Sequence, residues 1–143
     1  NGAGKTTTVK MMLREHVATS GCIEAPHAPR DSTEGACCVP VASRGSLYRG
    51  ARLGVCPQHD ALWDALNAEE HMHLFLRVRL GLAYKHSDWE QYVKRALAKV
   101  QLSEGGEKAS EKFSGGMKRK LQVCIAMFTG ASTVFLDEPS TGM

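Results

Sequence analysis

The sequence predicts an α/β domain built on a parallel-sheet core, and three observations carry that prediction. A glycine-rich loop, Asn1-Gly2-Ala3-Gly4-Lys5-Thr6-Thr7, runs straight into a helical stretch. Two short runs read as buried strands, Arg52–Gln58 and the β-branched and aromatic Thr133–Leu136. Between them, residues 68–82, 87–100 and 114–128 carry helical patterns.

Taken in order, Gly4–His16 is predicted helical because Val9, Met12, Leu13 and Val17 approximate one apolar stripe. Residues 21–46 lose any period: Pro26, Pro29, Pro40, Gly35 and Gly45 predict loop or weak strand, with the prolines interrupting sheet pairing. Arg52–Gln58 is a short buried strand ended by Pro57. Ala68–Leu82 is a helix whose Glu69 and Glu70 complement the positive end of its dipole. Ser87–Val100 is a second, with Ser87 as N-cap, Glu90 closing a capping box, and Trp89, Tyr92, Val93, Ala96, Leu97 and Val100 on one face. Gly105-Gly106 breaks the chain, Ser114 opens a helix running to Phe128, and Thr133–Leu136 is a buried parallel strand.

The 143 residues are one domain or a large piece of one, with the 43% hydrophobic and 23% charged content of an ordinary globular protein. Eighteen basic against fifteen acidic residues leave a net charge of +3, too small and scattered to argue for nucleic acid or an anionic membrane surface. Cys22, Cys37, Cys38, Cys56 and Cys124 form no C-x-x-C pair and predict reduced thiols rather than a disulfide or zinc framework. The six histidines share no metal-site spacing with them; His71 and His73, two apart on a helix, point to different sides and are surface or packing residues. No apolar run approaches the roughly 18–20 residues needed to cross a bilayer. The chain starts without an initiator Met or a charged leader, as expected of a fragment. The basic run Lys118-Arg119-Lys120 predicts a solvated helix face.

The chemistry concentrates at the two ends. Gly4, Lys5 and Thr6 match the end of the phosphate-loop pattern G-x-x-x-x-G-K-[ST], whose first glycine would lie before Asn1. Glycines let main-chain amides crowd around a phosphate, and the following helix presents the positive end of its dipole. Lys5 would then reach the β- and γ-phosphates, and the Thr6 hydroxyl would ligate Mg²⁺. Near the other end, Asp137 finishes an apolar strand at the rim where α/β sheets bind ligands; it can hold Mg²⁺, and Glu138 can polarise an attacking water. Ser114-Gly115-Gly116 at a helix start offers amides to an anion.

Together these stretches resemble the nucleotide-binding domains of ATP-binding-cassette (ABC) proteins. Asn1–Thr7 resembles their Walker A motif, Cys56-Pro57-Gln58-His59-Asp60 their Q-loop, Phe113-Ser114-Gly115-Gly116-Met117 their signature, and Val134–Pro139 their Walker B with its catalytic glutamate. The resemblance covers all but residues 22–50. Met117 in place of Gln, followed by Lys118-Arg119-Lys120, and the string Leu136–Met143 resemble the A subfamily, whose members include lipid transporters.

That resemblance implies a P-loop fold of the ABC ATPase type, with residues 1–58 and 129–143 in the core and about 59–128 in an inserted helical subdomain and signature helix. It implies ATP and Mg²⁺, bound by Asn1, Gly2, Ala3, Gly4, Lys5, Thr6 and Thr7, with Thr6, Gln58 and Asp137 around the metal. Glu138 would be the general base, with Gln58 and Lys5 also catalytic. Ser114, Gly115 and Gly116 would act in trans on the nucleotide of a second nucleotide-binding domain. Transmembrane domains of the same transporter would be the other partner, placing the cassette on the cytoplasmic face of a membrane, with no nucleic acid expected. The D-loop aspartate and the switch histidine would lie beyond Met143, so the 143-residue chain alone is expected to hydrolyse ATP poorly or not at all. A soluble ABC-class ATPase acting on nucleic acid or ribosomes, a non-ABC P-loop kinase and a non-catalytic cassette are the competing readings.

Overall fold

The computed structural model describes residues 3–13, 15–17, 19–20, 22–23, 39–40, 53–59, 61–103 and 107–139. The chain divides into two compact units, Asn1–Arg52 and Leu53–Met143.

In the first unit, helix α1 spans Lys5–Met12 and follows Gly4, which sits in the left-handed region at φ 81°. The helix is shorter than its sequence predicts. Leu13 caps it, and the amides of Glu15 and His16 both turn back to the Lys10 carbonyl at 2.9 and 3.2 Å. Val17 lies past this turn at 76% exposure, so the apolar stripe stops at Leu13. Strands β1 (Cys22–Ile23) and β2 (Val39–Pro40) pair antiparallel, with Cys22 opposite Pro40. Pro40 therefore stands in a ladder rather than breaking one. Pro26, Pro29, Gly35 and Gly45 lie outside the described residues.

The second unit holds β3 (Leu53–Cys56), α2 (Ala68–Leu80), α3 (His86–Lys99), α4 (Gly115–Phe128) and β4 (Thr133–Leu136). Strands β3 and β4 are parallel and in register from Leu53↔Thr133 to Cys56↔Leu136, and the three helices form the crossover between them. Asp137 N–H continues the ladder one step further, donating to the Cys56 carbonyl at 3.1 Å. Strand β4 is less buried than its apolar run predicts: Thr133, Val134 and Phe135 are half-buried and Leu136 is exposed. Among the described residues β3 is its one hydrogen-bonded neighbour.

The core lies among α2, α3 and α4. Met72, Leu76, Val93, Leu97, Leu102, Leu121 and Cys124 are almost completely buried there. Each of the larger aliphatic chains contributes about 1.5–3 kcal/mol relative to an exposed position. The face predicted on α3 is the one buried, except that Tyr92 leaves its ring half out and donates its hydroxyl to the Phe128 carbonyl at 2.6 Å, covering the end of α4.

The capping box falls on a different helix from the one expected. Asn67 caps α2: its Oδ1 accepts from the Glu70 amide at 2.9 Å, and Glu70 Oε2 accepts from the Asn67 amide at 2.8 Å. Helix α3 begins one residue earlier than predicted, with Lys85 at the cap and no side-chain cap bond. Ser87 donates instead to Asp88 Oδ1 at 3.2 Å, and Glu90 pairs with Lys94 at 2.8 Å one turn on. At its far end α3 closes in a Schellman turn, with Gln101 N–H on the Ala98 carbonyl and Leu102 N–H on the Leu97 carbonyl. This puts Gln101 at φ 58° and tucks Leu102 into the core. No helix among the described residues is long and apolar enough to cross a membrane.

Candidate functional site

The phosphate-loop residues belong to the first unit. Asn1 and Gly2 lie outside the described residues; Ala3, Gly4, Lys5 and Thr7 are exposed and Thr6 is half-buried. Gly4 turns the chain into α1 through its positive φ, a conformation that costs a residue with a Cβ about 1–2 kcal/mol. No side chain caps the helix, and no acidic residue occupies its first turn. The first-turn amides, which have no intrahelical acceptor, are thus presented together with the positive end of the dipole. Thr8 is committed elsewhere, since both its amide and its hydroxyl donate to the Gly4 carbonyl at 2.8 and 3.0 Å.

Gln58, Ser114–Gly116, Asp137 and Glu138 belong to the second unit, where the parallel pair brings two of these groups to one edge. Strand β3 ends at Cys56 and β4 at Leu136, paired in register, so Pro57-Gln58 and Asp137-Glu138 leave the same edge of the sheet. Gln58 is exposed, Glu138 half-buried, and Asp137 only 8% exposed. Glu138 stands at φ 50°, in the left-handed region that a non-glycine residue enters only when its surroundings compel it.

The Glu138 carbonyl is held by Arg119. Far from standing on a solvated face, this side chain is 3% exposed and spends every N–H it has. Nε donates to the Pro139 carbonyl at 3.2 Å, and Nη2 to the carbonyls of Asp137 and, at 2.7 Å, of Glu138. Nη1 donates to the Pro57 carbonyl and to Gln122 Oε1 at 3.1 Å. Gln122 in turn donates through Nε2 to the His59 carbonyl at 3.3 Å. The carbonyls on both sides of Gln58 are therefore held by two residues one turn apart on α4. The flanking lysines also find partners: Lys118 lies 3.8 Å from Asp64 Oδ1, and Lys120 donates to Gln101 Oε1 at 3.3 Å.

Ser114 caps α4, its Oγ accepting from the Met117 amide at 3.2 Å, while Ser114 and Gly115 face solvent and Gly116 is half-buried. The start of α4 thus presents an exposed Ser114-Gly115 followed by half-buried Gly116, and its second turn grips the sheet edge. Arg119 and Gln122 are the residues that charge and polarity hid in the sequence. Their signal is the helical period, which aligns them with Ala126, whose main chain packs on Gly54 of β3.

Comparison with known proteins shows the family and the fold. A family model described as ABC transporter matches residues 1–141, running through residues 22–50, which the motif resemblance leaves out. The chain is 39% identical over 144 residues to ABC transporter A family member 2 of Arabidopsis thaliana, covering 100% of this chain and 13% of that protein. It is likewise 39% identical over 144 residues to ATP-binding cassette sub-family A member 2 of Rattus norvegicus and of Homo sapiens, covering 100% of this chain and 5% of each. The chain thus spans a small part of the curated relatives it matches. A solved structure described as that of an ATP binding subunit of ABC transporter shares the fold, with a TM-score of 0.69 at 24% identity over 99% of this chain and 53% of that one.

Proposed function

The chain belongs to the ABC transporter family, and from that premise we propose that it is an ATP-binding and ATP-hydrolysing cassette whose turnover drives transport across a membrane. The observation that supports this best is the shared edge of β3 and β4, where Gln58 leaves one strand and Asp137-Glu138 the other, with the carbonyls of Asp137, Glu138 and the two neighbours of Gln58 held by the helix that begins with Ser114-Gly115-Gly116.

In this proposal Ala3, Gly4, Thr7 and the first-turn amides of α1, together with Asn1 and Gly2, receive the phosphates of ATP, and Lys5 neutralises the β- and γ-phosphates. The donors Thr6, Gln58 and Asp137 are a hydroxyl, an amide carbonyl and a carboxylate, the hard oxygen set that suits Mg²⁺. Bound there, Mg²⁺ would supply charge neutralisation to the transferring phosphoryl group. Glu138 accepts a proton from the attacking water, and its left-handed backbone fixes where that carboxylate starts. Ser114-Gly115-Gly116 serves the nucleotide of a second cassette, whose own signature would complete this one. Residues 1–58 and 129–143 form the nucleotide-binding core in this scheme, and residues 59–128 the helical subdomain that meets the transmembrane domains on the cytoplasmic face. Lipid is the proposed cargo, from the A-subfamily resemblance.

The test is nucleotide binding and turnover in the full-length protein carrying this chain. Lys5→Ala should weaken ATP binding by tenfold or more, roughly the loss of one charge-assisted phosphate contact. Glu138→Gln should keep ATP binding and lower kcat by about a hundredfold or more. Turnover at the wild-type rate in Glu138→Gln would remove the base from the scheme.

A further inference from the structure

We propose that Arg119 is a positioning residue for hydrolysis: through main-chain carbonyls it sets the orientation of both Glu138 and Gln58. The proposal rests on the ATPase function argued above. Three features of the arrangement carry it.

A guanidinium this deeply buried ordinarily sits against a carboxylate. Among the described residues Arg119 has none as a hydrogen-bond partner; its charge is met there by four carbonyls on the segments that carry Gln58 and Glu138 and by the side-chain amide oxygen of Gln122. Those carbonyls belong to three consecutive residues, Asp137, Glu138 and Pro139, and to the residue before Gln58. A planar fork with five donors is the side chain that can hold such a set at once. Second, the clamp closes on a strained residue. Glu138 at φ 50° would relax toward negative φ if its carbonyl were released, and that rotation would swing its carboxylate away from its starting position. Third, Gln58 is exposed, yet the carbonyls on both sides of it are held, Pro57 by Arg119 and His59 by Gln122. Its neighbours are fixed while its side chain stays available. Arg119 touches neither carboxylate nor amide of these groups, so its effect is on where they point.

The distinguishing measurement is a split between kcat and ATP affinity in the full-length protein, with Lys5→Ala and Glu138→Gln alongside. Arg119→Lys keeps the charge but loses the fork. It should lower kcat by about tenfold to hundredfold, the usual consequence of a misplacement near 1 Å, and leave ATP affinity within about threefold of wild type. Because Arg119 acts in part through Glu138, adding Arg119→Lys to Glu138→Gln should lower kcat by clearly less than Arg119→Lys does alone, a non-additivity that two independent losses would not show. Arg119→Met should behave like Arg119→Lys or worse. Wild-type kcat in a folded Arg119 variant, full multiplication of the two losses in the double variant, or parallel loss of ATP affinity and thermal stability would each overturn the proposal. If neither Arg119 variant folds, Gln122→Leu decides: the proposal expects a kcat loss of about three- to tenfold at unchanged ATP affinity, and unchanged kcat overturns it. Turnover insensitive to both Lys5→Ala and Glu138→Gln would instead remove the ATPase function, and this proposal with it.

Discussion

The main-chain amide of Trp63 donates to Nε2 of His71 at 3.0 Å, across the junction between the segment after Gln58 and helix α2. The other ring nitrogen, Nδ1, lies 2.7 Å from the Asn67 carbonyl, which can only accept, so the ring is the neutral Nδ1–H tautomer. His71 is completely buried, and no second proton can be added without setting N–H against N–H.

Stability should therefore depend on pH through His71. Burial holds its pKa below the ordinary 6.5, outweighing the Asn67 carbonyl and the Glu70 carboxylate, which raise it. As pH falls below 6.5 the unfolded chain takes up a proton that the folded chain refuses, so this contribution is full above that pH and is lost on acidification. The slope cannot exceed about 1.4 kcal/mol per pH unit for one group. Urea unfolding of wild type and His71→Gln between pH 5 and 7.5 isolates it. His73, which burial and His86 also hold low, remains in both proteins and cancels. The wild-type curve should fall more steeply toward acid, and parallel curves would exclude His71 as the source.

Gly54→Ala should be among the most damaging single methyl additions in the second unit. A Cβ at Gly54 would lie 2.0 Å from the carbonyl oxygen of Ala126 and 2.9 Å from its carbon, both main-chain atoms of α4 that cannot rotate away. Either β3 or α4 must shift, at a cost of about 2–3 kcal/mol or more. The shift would occur two turns along from Arg119 on the same helix, so it should also disturb the carbonyl clamp. Chemical denaturation gives the first quantity, and ATP turnover in the full-length protein gives the second. A loss of less than about 1 kcal/mol would mean the helix has room to give that the packing does not suggest.

The parts of the fold legible in the sequence are those where one periodic signal acts without competition. Helix α4 and its Ser114 cap, the parallel strands at Leu53–Cys56 and Thr133–Leu136, and the position of Asp137 past the strand end all follow from apolar spacing and terminal residues. Arg119 does not follow from charge, because three consecutive cations look like a solvated face. Yet successive helical residues are about 100° apart, so three in a row span about 200° and do not share one narrow face. The left-handed backbone of Glu138 is equally hidden: nothing in a glutamate calls for positive φ, and the Arg119 contact that holds its carbonyl comes from nineteen residues earlier in the chain. Caps are hidden when several candidates adjoin, as at Lys85, His86 and Ser87, where local geometry chose the residue without a capping oxygen.

Cys124 offers a way to watch the helix that carries the clamp. It is a free thiol, wholly buried on α4, and burial pushes its pKa from 9.0 up to about 12. Since the thiolate is the reactive form, its population at pH 8 is lower by about a thousandfold than at an ordinary cysteine, and burial blocks the reagent besides. Iodoacetamide should therefore leave Cys124 unmodified in the native protein for as long as α4 stays packed, with mass spectrometry following the peptide that contains it. Alkylation then proceeds through opening of the helix and reports the free energy of that opening. Gly54→Ala, which strains the contact directly, should speed labelling by more than tenfold, as expected for an opening cost lowered by about 1.4 kcal/mol or more. Arg119→Lys, which releases carbonyls while the apolar face of α4 remains intact, should change it far less. Native Cys124 labelled at the rate of an exposed thiol would mean that α4 does not hold the packing on which its grip of the sheet edge depends.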